Sequence, residues 1–192
     1  MRHILMMALA GTIAGAGGAV WADANPLAAI RAATEKYEDV NVALAEGFFP
    51  APPGDCTSAA AEGLPPDLGA MGIHYINPGL LGLFPPGEGR VNGNGMNTDF
   101  ATPSILLYEP QSDGSLELVG VENLIFQAAW AEAGKDTPPM FEDQPWDVMA
   151  DMGDTGGDEA HGFEPHYDLH VWAQRENPSG TFAAFNPTVS CG

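Results

Sequence analysis

Three of the five histidines in the chain lie within one ten-residue stretch, 161–170. His166, Asp168 and His170 occupy every second position there, with aromatic and branched residues between them. This alternation predicts a β-strand that carries the three polar side chains on one face. Imidazole and carboxylate groups are the usual protein ligands of zinc, copper and iron. The stretch therefore predicts one wall of a site for a divalent transition metal.

Spacing along a strand limits which of these histidines can share one ion. Residues two apart lie about 6.6 Å apart on one face, and residues four apart about 13 Å. An ion with nitrogen ligands at about 2.1 Å bridges only the shorter distance. His166 and His170 therefore share an ion only if a bulge or a helical turn intervenes. We expect His170 to take its partners from other elements, with His166, Asp168 or His161 completing the ligand set or orienting it.

Two residues outside this stretch have suitable chemistry. Glu122 is the single acid between Leu118 and Leu124 on an otherwise apolar face, and a buried carboxylate is costly unless it is paired or bound to a cation. His74 lies in another short extended segment. We expect His74, Glu122 and His170 to converge as a two-histidine, one-carboxylate set that suits zinc, iron or copper. The full set of candidate metal ligands is His74, Glu122, His166 and His170.

Other interpretations of these residues stay open at the level of sequence. Each histidine can be an ordinary half-buried strand residue that binds nothing. Met149, Met152 and His161 together would suit copper, which accepts thioether ligands. A glycine-rich segment at 91–97 lacks the lysine of a phosphate-binding loop, and the chain has no Gly-x-Ser-x-Gly elbow. Nucleotide binding and serine hydrolase chemistry are therefore not expected.

One N-terminal helix is predicted ahead of the segments that carry these residues. Asn25 is a helix cap, Pro26 suits the first helical position, and apolar residues follow at spacings of three and four as far as Gly47. Residues 47–103 are crowded with glycine and proline, which predicts loops around one extended segment, 73–76.

Several strands are predicted after these loops. Segments 104–109 and 116–126 should form a hairpin, 166–172 a strand, and 181–185 a strand or extended edge. The acidic segment 136–168 should be a surface loop. We predict an α+β fold, in which an N-terminal helix packs on an antiparallel β-sheet with long Gly/Pro-rich loops. On the second strand of the hairpin, strict alternation would place four apolar residues on one face: Leu116, Leu118, Leu124 and Phe126.

The charge of the chain is strongly unbalanced. It has 26 acidic residues against 6 lysines and arginines, for a formal net charge of -20 at pH 7. Such a surface repels nucleic acid and anionic lipid, so neither is expected as a partner. The charge itself favours a surface kept soluble or adapted to salt over one that collects cations.

The first residues have the pattern of a signal peptide. A short basic start is followed by an apolar segment, 4–19, and by small residues at the positions that precede cleavage before Asp23. The apolar segment is short and rich in glycine for a membrane span. We therefore predict a signal peptide at 1–22 and a single α+β domain at 23–192 that is periplasmic or secreted and has no membrane span after cleavage.

Cys56 and Cys191 are the two cysteines of the predicted domain. In an exported protein they are expected to form one disulfide, which would stabilise the fold by roughly 4 kcal/mol on the chain-entropy description of loop closure. The alternative is a site in which the cysteines and a histidine bind a metal. Neither cysteine has a neighbour at the spacing of a zinc site, so the disulfide is favoured.

Four motifs are spread over nearly the whole predicted domain: MGIHYINP at 71–78, VGVE at 119–122, HYDLHVW at 166–172 and NPTVSC at 186–191. Together with the helical segment 33–47, they resemble a family of exported bacterial proteins of unknown function. More distantly, ILLY at 105–108 followed by LVGVE at 118–122 resembles the middle of plant oil-body-associated proteins, which also carry a histidine-rich strand downstream. The resemblance brings no activity with it.

These observations predict an exported acidic protein that binds a transition metal or a small ligand through a His/Glu site. The expected cofactor is a divalent transition metal, either zinc, copper or iron. A metal-dependent enzyme on the same residues is the first alternative. A structural or stress-related module without a site is the second.

Overall fold

A computed structural model describes residues 25–87, 89–153, 158 and 160–192. The predicted signal peptide, 1–22, lies outside these residues. Helix makes up 20% and strand 28% of the structure, which confirms the α+β content expected from the sequence. Within the described ranges, every helix is too short or too polar to cross a membrane.

The strands of the described residues are β1 (Phe49–Pro50), β2 (Thr57–Ser58), β3 (Ala70–Ile76), β4 (Ile105–Pro110), β5 (Leu116–Phe126), β6 (Met140–Phe141), β7 (Gln144–Pro145), β8 (Asp147–Met149) and β9 (His166–Val171). Seven of them form one sheet, in the spatial order β1-β3-β4-β5-β9-β8, with β2 pairing on β3. Each pair of neighbouring strands is antiparallel. A separate two-stranded ladder joins β6 to β7.

The structure confirms the predicted hairpin, which is β4 and β5, and the predicted histidine-rich strand, which is β9. Two other predictions are wrong. The acidic segment 136–168 is not loop throughout, because it contains β6, β7 and β8. Segment 181–185 forms turns and bends rather than a strand, and Thr181 and Ala183 accept hydrogen bonds from the backbone and the indole of Trp172.

The single N-terminal helix predicted from the sequence is divided in the structure. Helix α1 (Pro26–Thr34) is followed by a 3₁₀ turn (Glu35–Glu38) and then by α2 (Val40–Ala45). Asp39 causes the division, since its backbone is extended and its carboxylate accepts a hydrogen bond from the backbone N–H of Asn41 to cap α2. Two short helices follow later in the chain, α3 (Pro78–Leu81) and α4 (Gln127–Glu132).

The buried apolar residues form two clusters. The first joins residues of the N-terminal helical segment to the sheet, and it includes Ile30, Tyr37, Phe48, Leu106, Tyr108, Leu118, Val121 and Leu169. The second cluster includes Ile76, Leu81, Ile105, Leu107, Leu124, Phe126 and Trp172.

A bulge in β5 decides which residues of this strand enter each cluster. Leu107 pairs with Gly120, but the next residue of β4, Tyr108, pairs with Leu118, so Val119 is an extra residue. A Cβ on Gly120 would lie 3.2 Å from a methyl carbon of Leu107, which favours glycine at this close approach. The predicted common face of β5 is therefore wrong, because Leu116 and Leu118 pack in the first cluster and Leu124 and Phe126 in the second.

One hydrogen bond fixes the helical segment to the sheet. The hydroxyl of Tyr108, a fully buried residue, donates a 2.6 Å hydrogen bond to the backbone carbonyl of Tyr37. We expect Tyr108→Phe to lower the free energy of unfolding by about 1–2 kcal/mol, because it leaves a buried carbonyl unpaired. Urea denaturation would measure the change. Tyr75→Phe is the matched control, since its ring packs 4.8 Å from that of Tyr108 and its hydroxyl makes no hydrogen bond within the described residues. Equal losses in both variants would contradict the prediction.

The C-terminal segment is tied to the rest of the fold. Cys56 and Cys191 form a disulfide, as predicted, and no free cysteine remains among the described residues. The alternative metal site built on cysteine is therefore excluded. Nearby, Glu109 accepts a 2.7 Å hydrogen bond from the backbone N–H of Ser190 and a 2.6 Å bond from Arg175.

Candidate metal centre

Three strands bring His74, Glu122 and His170 together. Glu122 on β5 pairs directly with His170 on β9. His74 lies on β3, which is separated from β5 by β4. On β4, Ile105 pairs with Glu122 on one side and with Ile76 on the other, and His74 is two residues before Ile76. The side chains of His74 and Glu122 therefore approach each other across the intervening strand.

The donor atoms of the three side chains have the spacing of metal ligands. Oε2 of Glu122 lies 3.3 Å from Nε2 of His74 and 3.5 Å from Nε2 of His170. One donor atom from each residue lies within 4.8 Å of the others. Ligands at about 2.1 Å in a tetrahedral arrangement lie about 3.4 Å from one another. The group therefore has the geometry to hold a metal ion between its donor atoms.

Burial sets the charge state of the group. The side chains of Glu122 and His170 are each 4% exposed, and that of His74 is 20% exposed. Burial, with a smaller contribution from Asp168, raises the pKa of Glu122 well above its ordinary value. Burial is also the main cause that lowers the pKa of His74 to about 4 and that of His170 to about 3, with His161 and His74 as the respective minor causes. Both imidazoles are therefore neutral at pH 7, the state in which histidine binds metals.

Two polar atoms of the group are not satisfied by the protein. Oε2 of Glu122 and Nε2 of His170 are buried and make no hydrogen bond within the described part of the chain. Their separation is that of an ion pair, but burial disfavours the charged form of both groups, so no ion pair stabilises them. Buried polar atoms without partners are costly, and each such atom requires a physical explanation. A cation bound to all three residues would satisfy both atoms, so these residues fit a metal.

The group lies in the wall of a cavity of about 410 Å³. Buried polar residues at its inner end are Glu122, Asp168, His166 and His170, and exposed residues at its rim are Pro52, Pro53, Asp55, Ala61, Glu62 and His161. Apolar residues make up much of the remaining wall, including Ile76, Ile105, Leu124 and Phe163. A cavity of this size holds a small molecule rather than an ion alone.

The structure separates the other predicted site residues from the ligand group. His166 lines the same cavity, but its Nδ1 lies 3.0 Å from the carbonyl oxygen of Glu164 and its ring packs against Phe163 and Phe126. His166 and His170 are four residues apart on β9. No bulge or helical turn interrupts this strand to bring the two side chains to one ion. His161 lies at the rim, where its Nδ1 is 3.6 Å from a carboxylate oxygen of Glu62.

Some residues of the cavity were not expected from the sequence. Met71 on β3 lines it beside His74, although the two are three positions apart, a spacing that regular alternation places on opposite faces. Gly72, with φ of +96°, interrupts the alternation between the two. Asp55 and Glu62 lie in segments with no periodic pattern, so only the fold brings them to the rim. Met149 lines the cavity, whereas Met152 is 56% exposed and is not among the lining residues.

No family model, curated protein or solved structure matches this chain.

Proposed function

We propose that this protein binds one divalent transition metal ion through Nε2 of His74, the carboxylate of Glu122 and Nε2 of His170. The observation that carries the proposal is the convergence of these three donors, from three different strands, to within 4.8 Å of one another. Two nitrogen ligands and one oxygen ligand suit zinc, iron or copper. A structural module without a ligand is less favoured, because it would leave the buried donor atoms unsatisfied.

We also propose that the protein functions outside the cytoplasm. The predicted signal peptide at 1–22 is one support for this location. The disulfide between Cys56 and Cys191 is the second, because disulfides form and persist in the periplasm and outside the cell.

The cavity supports a second candidate function, that of a metal-dependent enzyme. Three protein ligands leave a coordination position for water or substrate, as in catalytic zinc sites and in iron sites with two histidines and one carboxylate. The cavity of about 410 Å³ beside the ligand group has room for a substrate at that position. A bound metal would polarise a substrate or activate water, while His74, Glu122 and His170 would hold and orient it.

Metal analysis of variants tests the metal-binding function. We expect the purified protein, loaded with zinc and dialysed, to retain about one ion per chain, and we expect His74→Ala and His170→Ala to lower its affinity by more than about tenfold. Plasma mass spectrometry would give the stoichiometry and a competition titration the affinity.

The matched control is His166→Ala. His166 and His170 lie on the same strand, line the same cavity and are each 3% exposed, so the loss of packing is similar in the two variants. Only His170 belongs to the converging group. Substoichiometric zinc in the unmodified protein would overturn the proposed function, as would equal losses of affinity in the His166 and His170 variants.

A further inference from the structure

The cavity wall, in the described part of the chain, has carboxyl groups but no lysine or arginine to balance them. Its described lining includes four carboxyl groups and no lysine or arginine. One of them, Glu122, belongs to the proposed metal site, which leaves Asp55, Glu62 and Asp168 without a fixed cationic partner in the lining. No lysine or arginine of the described lining would therefore hold an anionic group of a ligand.

Asp168 is the carboxyl group best placed to contact a ligand. It is 8% exposed, lines the cavity and lies two residues from His170 on the same face of β9. It pairs with Leu124 on one side and with another acid, Asp147, on the other. Within the described residues, no side chain and no backbone N–H of another residue donates a hydrogen bond to it. Its carboxyl group is therefore a hydrogen-bond acceptor in the cavity wall that a ligand can use.

Distances along β9 place this carboxyl group within reach of a ligand bound to the metal. Residues two apart on one face of a strand lie about 6.6 Å apart. Asp168 therefore lies in the same cavity wall as His170, close enough for one small molecule to contact both the metal and the carboxyl group. The wall between and around them is apolar, with Leu124, Ile105 and Phe163 among its residues.

We propose that the cavity binds a small organic amine. This proposal rests on the metal site proposed above. Such a molecule has one donor atom for the metal, an apolar body against the cavity wall, and an ammonium group that donates hydrogen bonds to Asp168. The ammonium group supplies the donors and the positive charge that the wall lacks. Anionic molecules of the same size, including phosphates and carboxylates, should bind less well.

Three pyridines whose substituents at one ring position differ in charge test the proposal. Each presents one ring nitrogen to the metal, and substitution at the third ring position prevents chelation. The probes are 3-(aminomethyl)pyridine, 3-methylpyridine and 3-pyridylacetate. Each is titrated into the cobalt(II)-loaded full-length protein while the visible absorption of cobalt is followed. We expect the ammonium probe to bind on the order of tenfold more tightly than the methyl probe, and the carboxylate probe to bind most weakly.

Variants of the cavity locate the group that is responsible. Asp168→Asn should reduce the difference between the ammonium and methyl probes to within about twofold, because it replaces the carboxyl group that pairs with the ammonium group by a neutral amide. Glu62→Gln, at the rim, should leave most of the difference in place. If Asp168→Asn fails to fold, the order of the three probe affinities on the unmodified protein still tests whether the cavity prefers an ammonium group.

The outcomes separate this proposal from the one on which it rests. Failure of the unmodified protein to bind cobalt overturns both. Cobalt binding together with equal affinities for the three probes, or tightest binding of the carboxylate, overturns the amine specificity and leaves the metal site standing. Retention of the full preference in Asp168→Asn overturns the role of that residue.

Discussion

Replacing Glu122 with glutamine should stabilise the metal-free protein and weaken metal binding. Burial raises the pKa of this carboxyl group well above its ordinary value, so at neutral pH the folded protein bears the cost of a buried charge or of an extra proton. Glutamine has neither cost. We expect the free energy of unfolding at pH 7 to rise by about 1–3 kcal/mol in the metal-free variant. The affinity for zinc should fall by at least about 100-fold, because even the partners of metal ligands are worth about 10- to 100-fold.

The pH dependence of the stabilisation by Glu122→Gln distinguishes removal of a buried carboxyl group from a general improvement in packing. A carboxyl group whose pKa is raised by folding costs nothing below about pH 4, where it is protonated in both states, and its cost grows as the pH rises towards the folded pKa. The stabilisation by Glu122→Gln should therefore be present at pH 7 and absent near pH 4. Urea denaturation of the metal-free protein at both pH values would measure it.

Glu132→Gln is a matched control for this experiment. Glu132 is exposed on α4, and the same substitution there should change the free energy of unfolding by less than about 0.5 kcal/mol at either pH. A metal-free Glu122→Gln protein that is less stable than the unmodified protein at pH 7 would contradict the prediction. Unchanged zinc affinity would remove Glu122 from the ligand set.

Removing the disulfide should have the largest effect on the stability of the fold. Cys56 and Cys191 are 135 residues apart, so the bond constrains most of the unfolded chain of the described domain. On the chain-entropy description, closing a loop of this length contributes about 5 kcal/mol, somewhat more than the roughly 4 kcal/mol expected from the sequence. We expect the double variant Cys56→Ser/Cys191→Ser to lose about 4–5 kcal/mol of the free energy of unfolding, measured by urea denaturation.

Reducing agent provides the control for this double variant. The unmodified protein should become about as unstable as the variant when it is reduced, and the variant should not respond. A variant with unchanged stability would show that the unfolded chain is compact without the bond. Cys56 also lines the cavity, close to Asp55 and Thr57 of the same wall. The variant should therefore also bind cavity ligands more weakly.

The candidate site followed from the sequence because its residues lie in regular strands. Alternation along β9 predicted the face of His170, and the spacing of strand residues separated His166 from it. Glu122 could be identified as an acid among apolar neighbours, although its strand contains a bulge after Leu118 that alternation does not reveal. The convergence itself depends on which strands are neighbours, and sequence patterns do not determine the order of strands in a sheet.

Local hydrogen bonds and short elements account for the features that could not be predicted. The apolar stripe of the N-terminal segment continues past Asp39, yet the cap that this residue forms divides the helix. Strand β8 has three residues, and Val148 is 59% exposed, so no hydrophobic pattern marks it. Such an edge strand is defined by its pairing with β9 rather than by burial.

The distribution of the ligand group over β3, β5 and β9 has a consequence for when an ion can bind. His74 and His170 are far apart in the sequence. They approach each other only when the strands between them in the sheet, β4 and β5, are paired with β3 and β9. Contacts between residues so far apart in the sequence carry a large loop-closure cost before they stabilise the fold. An unfolded chain has no preformed site, and its affinity for the ion arises together with its tertiary structure. A chain that crosses a membrane unfolded would therefore take its ion from the compartment in which it folds, and the metal content of that compartment would select the ion.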